Sequence, residues 1–477
     1  MFKRKRDSDT QLNDDDDNNN NAISSSGNNN NTNQDHQQLA CNDTAQTSII
    51  DVENPKLFRQ CTDPLEWNLI KYRDMRSTHA RRAFGRVLYP PQRMLLERLS
   101  CALEDRYHFC FPNQKKCVPF VCAYNNSACD GQILAVGDEA KRITLLRTDV
   151  GNSIDYQDYH VSFGAHTNAV LTLKWSNDDT SLLSGSADGR VRLWDTESRA
   201  CAATFMGHSS SLRSIDWHPT NPNLLVSSSM DGSFMMWDLR HKQIKVHKDK
   251  LDVPGLDAPV YGPIKITKHA HEMSSHKGST MKENILKKPP HSVTSAMFMP
   301  NYEDRIITSG SHDGTIKIWD CRAGRDAKSI AHYNYDGDSN RPRGIADMRL
   351  DHSGTRLFSL CMDGSVNLHY LTNITRPAVR FTDPDYTISS FFVKISISHD
   401  DRFLIAGSSS NAVFAWEIDR PEAPTVKYTG HKREVGSVSW CQQRYQFASC
   451  SDDGCVRVWD FDVENDPADG YEPSDEE

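Results

Sequence analysis

Short runs of apolar and β-branched residues, each ending at a tryptophan, recur along most of the chain. Tryptophans at 194, 237, 319, 416 and 459 end such runs, and two of the intervals between them are both 43 residues. Earlier strands are predicted in VPFVCAY, QILAVG and RITLLR, which lack the final tryptophan. A fixed period of this length, built from short strands and turns, predicts a repeat architecture in which each unit is one small sheet.

Four residue types stand at fixed offsets in the strong units: histidine, serine, aspartate and tryptophan. The spacings are 18, 4 and 6 residues in three sets and 19, 4 and 6 in the other. The sets are His166, Ser184, Asp188, Trp194; His208, Ser227, Asp231, Trp237; His291, Ser309, Asp313, Trp319; and His431, Ser449, Asp453, Trp459. We interpret each as a buried hydrogen-bond network, in which the aspartate orients the histidine and the histidine reaches the serine and the indole. Because four copies recur, we predict no catalytic residue among them, since nucleophilic catalysis needs one activated group.

The period and the Trp-Asp endings resemble WD40 repeats, which imply an all-β propeller. Weaker units complete the count. In one of them His369 takes the place of tryptophan, and in another Ser410 takes the place of aspartate. Seven units are expected in total, a usual number for a closed ring. Since the last unit has no fourth strand after Phe461, we expect Tyr107–Phe111 to pair there as the outer strand.

The segments outside the repeats have different compositions. Residues 1–54 are Asn/Asp-rich and predicted to be disordered, with a basic start that suits nuclear localisation at Lys3, Arg4, Lys5 and Arg6. Residues 55–106 are expected to be a helical segment, with an amphipathic helix near 91–106 that either packs on the propeller or docks a partner. The propeller is expected at 107–463, and 464–477 as an acidic disordered tail.

One interval breaks the period, because Trp237 and Trp319 lie 82 residues apart. We interpret 241–290 as a lysine-rich insertion between blades three and four, with VYGPIKITKHAH holding blade three's outer strand. Either His271 or His291 could then serve blade four's network. The insertion could also contact DNA, although we favour indirect contact through a protein.

Composition excludes several classes of function. The net charge is −9, and no run approaches the roughly 20 apolar residues of a membrane span. The thirteen cysteines include no C-x-x-C pair, so we expect reduced thiols in a cytosolic or nuclear protein. No metal site, cofactor or enzyme activity is predicted.

Two units continue beyond Trp-Asp to an arginine, as Trp237-Asp238-Leu239-Arg240 and Trp319-Asp320-Cys321-Arg322. Alternation along a strand places Asp238 and Arg240 on one side, at the end opposite the network histidines. A guanidinium can bind a carboxylate through two parallel hydrogen bonds. The pair could be local, but its presence on neighbouring blades favours a docking surface.

The Asp-x5-Trp-Asp-x-Arg pattern resembles the WDxR (DWD) motif of WD40 substrate receptors of cullin-4 RING ubiquitin ligases. The run SSFFVKISISHDDRFLIAGSSSNAVFAWEI and the repeat after it resemble the denticleless type, which recognises replication proteins bound to the sliding clamp. This resemblance implies a nuclear, non-catalytic receptor that docks damaged-DNA-binding protein one through Trp237, Asp238, Arg240, Trp319, Asp320 and Arg322.

Substrates are then expected on the opposite face, around the central channel. The residues nominated by loop position are Asn168, Arg213, Phe391, Phe392, Lys394, Arg433 and Glu434. The helix near 91–106 is a candidate for a second adaptor contact. The alternative function is a chromatin- or histone-binding scaffold without a ligase, in which the arginines serve local structure.

Overall fold

The computed structural model describes residues 92–102, 105–111, 113–149, 160–241, 243–244, 258–272, 291–322, 328–333 and 343–461. All of them lie within one compact unit, Val52–Glu477. The predictions for the basic run at residues 3–6, for 1–54 and for 464–477 lie outside the described residues, as does all of 55–91.

The described part begins with three short elements. They are α1 (Gln92–Glu97), β1 (Leu99–Ser100) and β2 (Arg106–His108). Blade one contains β3 (Pro119–Tyr124), β4 (Ile133–Asp138), β5 (Arg142–Arg147) and β6 (His160–Gly164). Blade two contains β7 (Val170–Trp175), β8 (Ser181–Ser186), β9 (Arg190–Asp195) and β10 (Cys201–Met206). Blade three contains β11 (Leu212–Trp217), β12 (Leu224–Ser229), β13 (Phe234–Asp238) and, after β14 (Val260–Tyr261), β15 (Lys265–Thr267).

The remaining blades follow without interruption. Blade four contains β16 (Val293–Met299), β17 (Tyr302–Gly310), β18 (Ile316–Asp320) and β19 (Lys328–Tyr333). Blade five contains β20 (Ile345–Leu350), β21 (Arg356–Cys361), β22 (Ser365–Tyr370) and β23 (Val379–Phe381). Blade six contains β24 (Ile395–Ile397), β25 (Phe403–Ala406), β26 (Val413–Glu417) and β27 (Val426–Tyr428), and blade seven contains β28 (Val435–Trp440), β29 (Phe447–Ser451) and β30 (Cys455–Phe461).

The sheets form a closed ring, because the inner strand of every blade packs on the inner strands of both neighbours. Apolar side chains fill the space between consecutive blades. One cluster joins blades six and seven through Phe403, Trp440 and Trp459, and another joins blades five and six through Phe381 and Phe414. The prediction of an all-β, seven-bladed propeller is confirmed.

Blade seven is completed by chain from the other end of the propeller. Tyr107 pairs with Val456 and His108 with Cys455, so β2 is the fourth strand of this blade, as predicted. A second short strand, β1, extends the same edge by pairing Leu99 with Phe461. This exchange closes the ring through main-chain hydrogen bonds and removes an exposed sheet edge.

The amphipathic helix is shorter than predicted. Helix α1 ends at Glu97, and the following residues turn into β1 instead of continuing to 106. The prediction of a helix over 98–106 is wrong because the free edge of β30 offers main-chain partners that periodicity does not reveal. Leu96 and Leu99 are buried against blades six and seven, and Tyr428 donates its hydroxyl to the Leu96 carbonyl at 2.7 Å.

The insertion contributes strands to two blades. Strand β15 pairs with β13 as the outer strand of blade three, as expected for VYGPIKITKHAH. Strand β14 lies on the edge of blade two, where Thr204 pairs with Val260 and Phe205 with Tyr261 in a parallel register. Residues 258–267 therefore connect the rims of blades two and three.

Candidate functional site

Three blades contain the full hydrogen-bond network expected from the spacing. In blade two, His166 Nδ1 lies 3.0 Å from Asp188 and Nε2 lies 2.7 Å from Ser184 Oγ, to which Trp194 donates at 2.8 Å. The corresponding distances in blades three and seven lie between 2.8 and 3.1 Å. The network of blade three joins His208, Asp231, Ser227 and Trp237. The network of blade seven joins His431, Asp453, Ser449 and Trp459.

The charges within a network follow from burial. Burial lowers the pKa of His166 below its usual value, so the imidazole is neutral. Burial also disfavours ionisation of Asp188, but hydrogen bonds from His166 and from backbone N–H groups hold the pKa of that carboxyl well below its usual range. The hydrogen-bond pattern then assigns the proton to Nδ1, and the hydroxyl of Ser184 donates to Nε2. Each polar group is satisfied, which a buried network requires.

The network of blade four uses a different hydroxyl residue from the one that the spacing predicts. His271 lies 2.8 Å from both Asp313 and Thr308 Oγ1, and Trp319 donates to Thr308 at 2.7 Å. The prediction of Ser309 as the network hydroxyl is wrong, because Ser309 bonds Thr294 instead, at 2.8 Å.

The shift has a simple cause in the β17–β18 hairpin. In every blade with a network, the hydroxyl lies opposite the residue two before the tryptophan, as Ser184 lies opposite Arg192. The turn of blade four is one residue longer, so the position opposite Lys317 is filled by Thr308. The four-residue spacing between the serine and the aspartate therefore selected the wrong hydroxyl in this blade. Of the two candidate histidines, His271 and His291, the network contains His271.

Two weaker blades keep only part of the network. In blade five, Ser359 Oγ lies 3.1 Å from His369 Nε2, so histidine replaces the indole as partner. In blade six, Ser410 bonds Ser408 at 2.7 Å, and within the described residues the Trp416 indole N–H has no hydrogen-bond partner. These hydrogen bonds stabilise the interiors of the two blades.

Both arginines of the Trp-Asp-x-Arg segments pair with the aspartate two residues earlier. Arg240 donates to both carboxylate oxygens of Asp238, from Nε at 3.0 Å and from Nη2 at 2.8 Å. Arg322 donates to Asp320 in the same way, at 3.2 and 2.8 Å. The arginine side chains are nevertheless 60% and 64% exposed.

Each pair orients a cation without burying it. The hydrogen bond from Arg240 lowers the pKa of Asp238, and Arg322 lowers the pKa of Asp320 to about 2, so both carboxyls are ionised. Strand β13 runs from Phe234, beside the network residue Asp231, to Asp238. The arginines therefore project from the end of the blades opposite the network aspartates.

A lysine from the insertion connects the two Trp-Asp-x-Arg segments. Lys265 is the first residue of β15 and lies opposite Met236 of blade three. Its ammonium group donates at 2.7 Å to the carbonyl of Cys321, the residue before Arg322. Blade three's outer strand is thereby fixed to the motif of blade four.

Several nominated substrate residues meet across the central channel. Arg213 of blade three donates to the Phe391 carbonyl at 3.0 Å and lies 4.5 Å from the centre of the Phe392 ring. Phe392, which immediately precedes blade six, is 40% exposed and lies 6.2 Å from Phe120 of blade one. The segment before β24 therefore spans the channel between three blades.

Lys394 belongs to a buried charged cluster beside this segment. Its ammonium group lies 3.3 Å from Asp347 of blade five, which also accepts from Ser295 at 3.2 Å. Burial lowers the pKa of Lys394, and it lowers the pKa of Arg213 to about 10. Asp347 was missed from the sequence, although an aspartate inside the apolar strand β20 is a signal of a channel position.

The other nominated residues lie on surrounding loops. Asn168 accepts from the backbone N–H of Ala169 at 2.8 Å, and Glu434 accepts from Ser389 at 3.2 Å. The Arg433 carbonyl accepts from Ser451, and its side chain is exposed. Among the described residues, no hydrogen bond or ring contact joins any of these three to Arg213 or Phe392.

The described residues contain neither a metal-binding cluster nor a helix that could span a membrane. No cluster of three or more histidine, cysteine, aspartate or glutamate side chains is placed to hold a metal ion there. All cysteines in the same residues are free thiols. Of the helices described, none has the length and apolar character needed to cross a bilayer.

Comparison with known proteins identifies the repeats directly. The family described as "WD domain, G-beta repeat" matches residues 158–195, 199–238, 283–320 and 422–460. These matches cover blades two, three, four and seven, the blades in which the structure places a complete network.

Curated relatives match most of the chain. The chain is 31% identical to the "Denticleless protein homolog" of Danio rerio over 77% of its own length and 56% of the relative's. It is 29% identical to the Homo sapiens protein of that name, over 77% of its own length and 50% of the relative's. The chain thus spans about half the length of the curated relatives it matches.

A solved structure agrees in fold. The β-propeller domain of Myceliophteria thermophila Cps50 (Swd1) superposes with a TM-score of 0.53 at 17% identity, covering 72% of this chain and 95% of that domain. At this identity the likeness concerns the fold alone. The repeats and the seven blades together establish that the chain is a WD40 β-propeller protein, and over 77% of its length it resembles the relatives named denticleless.

Proposed function

We propose that the chain is a substrate receptor of a cullin-4 RING ubiquitin ligase. The observation that carries the proposal is the pair of identical Asp–Arg arrangements on neighbouring blades, both at one end of the propeller. They resemble the WDxR motifs with which such receptors bind damaged-DNA-binding protein one, and the relatives named denticleless support the same reading.

The local ion pairs prepare the arginines for a partner. A free arginine side chain loses rotamer entropy when it binds, and this loss weakens association. Here Asp238 and Asp320 already hold Nε and Nη2, while the rest of each guanidinium faces solvent. A carboxylate or a row of backbone carbonyls on the adaptor can therefore bind a pre-oriented group.

The receptor would act without bond chemistry of its own. It holds a target beside a ubiquitin-charged enzyme, and so raises the effective concentration of the reacting groups. We propose replication and cell-cycle proteins, presented on the sliding clamp in the nucleus, as the targets. Contact with DNA would then be indirect.

Targets would bind at the end of the channel that carries Phe392. Its exposed ring, with the Arg213 guanidinium beneath it, gives an aromatic and cationic centre for this face. Asn168, Arg433 and Glu434 lie on the loops around that centre and would contact flanking parts of the target. Since α1 packs on blades six and seven, away from blades three and four, we propose no adaptor contact for it.

Binding of the purified adaptor tests the proposal. The double variant Arg240→Ala/Arg322→Ala is expected to weaken binding by about 100-fold or more, because two central arginine contacts are lost. Arg402→Ala is a matched control, since Arg402 is also partly exposed and pairs with an aspartate two residues earlier, at 3.3 Å. Unchanged binding by the folded double variant would remove the main support for the receptor function.

The alternative is a chromatin- or histone-binding scaffold. This scaffold function is favoured by the local ion pairs of both arginines, because in a scaffold the two arginines would serve only the structure of their own blades. The same experiment separates the two, because a scaffold needs neither arginine for its partners and would keep them in the double variant.

A further inference from the structure

A cleft of about 340 Å³ lies between blades two and three. Its walls come from the β7–β8 turn, the β11–β12 turn and the end of β13. The apolar residues of its lining are Leu193, Trp217, Pro219, Pro222 and Leu239. Leu239 immediately precedes Arg240, so the cleft opens at the end of the propeller that carries the arginines.

We propose that this cleft receives a bulky apolar side chain of the ligase adaptor, presented beside a carboxylate that pairs with Arg240. The proposal rests on the receptor function and adds a second, apolar determinant to it. In the turn after β13, Leu239 lines the cleft, whereas the next side chain, Arg240, is 60% exposed. A partner that reaches the guanidinium therefore covers the mouth of the cleft.

The cleft has the composition of an interface centre. Apolar walls are surrounded by short polar side chains, including Asn177 and Thr220, which are both exposed. An apolar centre with a polar rim is the usual arrangement at protein interfaces. Within it, Asp178 is held by Ser176 and Thr180, at 2.6 and 2.9 Å, so its charge is already satisfied.

One wall also carries an unused hydrogen-bond donor. Trp217 is 8% exposed, and no described residue accepts from its indole N–H. At the corresponding position of blade two, Trp175 donates to the Ala123 carbonyl at 2.9 Å. An unpaired buried donor is unfavourable, and because this nitrogen is buried, an oxygen atom of the partner would reach it only if the Trp217 ring shifts on binding.

Two exposed isoleucines follow Arg240 in the chain. Ile244 and Ile264 are 42% and 40% exposed. Ile264 bonds the Met236 carbonyl through its backbone N–H, and so lies along the end of β13. An exposed apolar side chain thus stands beside the strand that leads to Arg240, which fits a partner surface that combines apolar residues with an acidic side chain.

Filling the cleft tests the proposal. Thr220→Trp places a large ring in the cleft without touching Arg240, and is expected to weaken binding of the purified adaptor about tenfold or more. Thr355→Trp is the control, because Thr355 is an exposed threonine in the corresponding turn of blade five. Circular dichroism and thermal unfolding establish that each variant is folded, and Pro222→Trp replaces Thr220→Trp if it is not.

The outcomes separate this inference from the receptor function. Loss of binding in both Thr220→Trp and the arginine double variant, with Thr355→Trp unchanged, supports the cleft. Full binding by Thr220→Trp, with loss only in the arginine variant, overturns the cleft and leaves the receptor function intact. Unchanged adaptor binding accompanied by loss of self-association would assign the cleft to a second copy of the chain and overturn the proposal.

Discussion

The hydroxyl at the centre of each network is the residue on which a blade's polar interior depends. In blade four that residue is Thr308, which accepts from Trp319 and bonds His271. We expect Thr308→Val to lower the free energy of unfolding by about 1–3 kcal/mol, since it keeps the side-chain volume and leaves two buried groups without a partner. Chemical denaturation measures the change.

The neighbouring serine provides the control for this prediction. Ser309 is equally buried, but its hydroxyl bonds only Thr294 and the network does not include it. Ser309→Ala is expected to cost less than Thr308→Val. A larger loss in Ser309→Ala would restore the assignment made from spacing.

The network histidines also make stability depend on pH. Burial lowers the pKa of His166, His271 and His431 in the folded state, so below pH 6.5 the unfolded chain binds more protons than the folded one. The contribution of these neutral histidines to the free energy of unfolding is therefore complete above about pH 6.5 and decreases as the pH is lowered. Denaturation midpoints measured between pH 7.5 and 5 are expected to decrease.

One exposed histidine acts in the opposite direction. Although burial opposes it, hydrogen bonds to Asp401 and Gln442 raise the pKa of His352, so its contribution is largest at low pH and is lost as the pH rises. Repeating the titration with His352→Asn is expected to steepen the decrease. A midpoint that rises on acidification in this variant would contradict the assignment of neutral network histidines.

At the scale of elements, α1 is a packing element of the propeller. Leu96 is 1% exposed among residues of blades six and seven, whereas Leu95 is only partly buried. We expect Leu96→Ala to lower the free energy of unfolding by about 2–5 kcal/mol, and Leu95→Ala to cost less. Equal losses in thermal or chemical unfolding would show that the helix does not pack through this face.

Sequence reasoning predicted elements well where local geometry is strict. The His–Ser–Asp–Trp spacing located three networks, because alternation and turn length leave few other solutions. It failed at the β17–β18 hairpin, where one extra turn residue moved the hydroxyl to Thr308. Sequence reasoning also failed to predict strands β1, which follows Glu97, and β14. Both strands form only because a distant part of the chain supplies a sheet edge for them to pair with.

For the whole molecule, the seven blades and the strand that closes the ring could be predicted from the sequence, but the contacts between side chains of different blades could not. The Lys265–Cys321 bond and the channel contact of Arg213 with Phe391 join residues far apart in sequence. No periodicity reports such contacts. The cleft beside Leu239 likewise depends on how two blades pack.

Ring closure gives a prediction at this scale. Deletion of residues 1–111 removes β1 and β2 and exposes the edge of β30. We expect a lower melting temperature and concentration-dependent association, because a free strand edge pairs with other chains. Deletion of residues 1–91 keeps both strands and is expected to unfold as cooperatively as the full chain. Analytical ultracentrifugation and calorimetry distinguish the two.

The pairing of β2 with β30 also sets an order of events during synthesis. Tyr107 leaves the ribosome early, but its partner Val456 is made only after six blades have been translated. Contacts between residues so distant in sequence form slowly, and a nascent chain with unpaired strand edges is prone to aggregate. The propeller therefore cannot close until β30 of blade seven has been made, and the nascent protein is most in need of chaperones just before that moment.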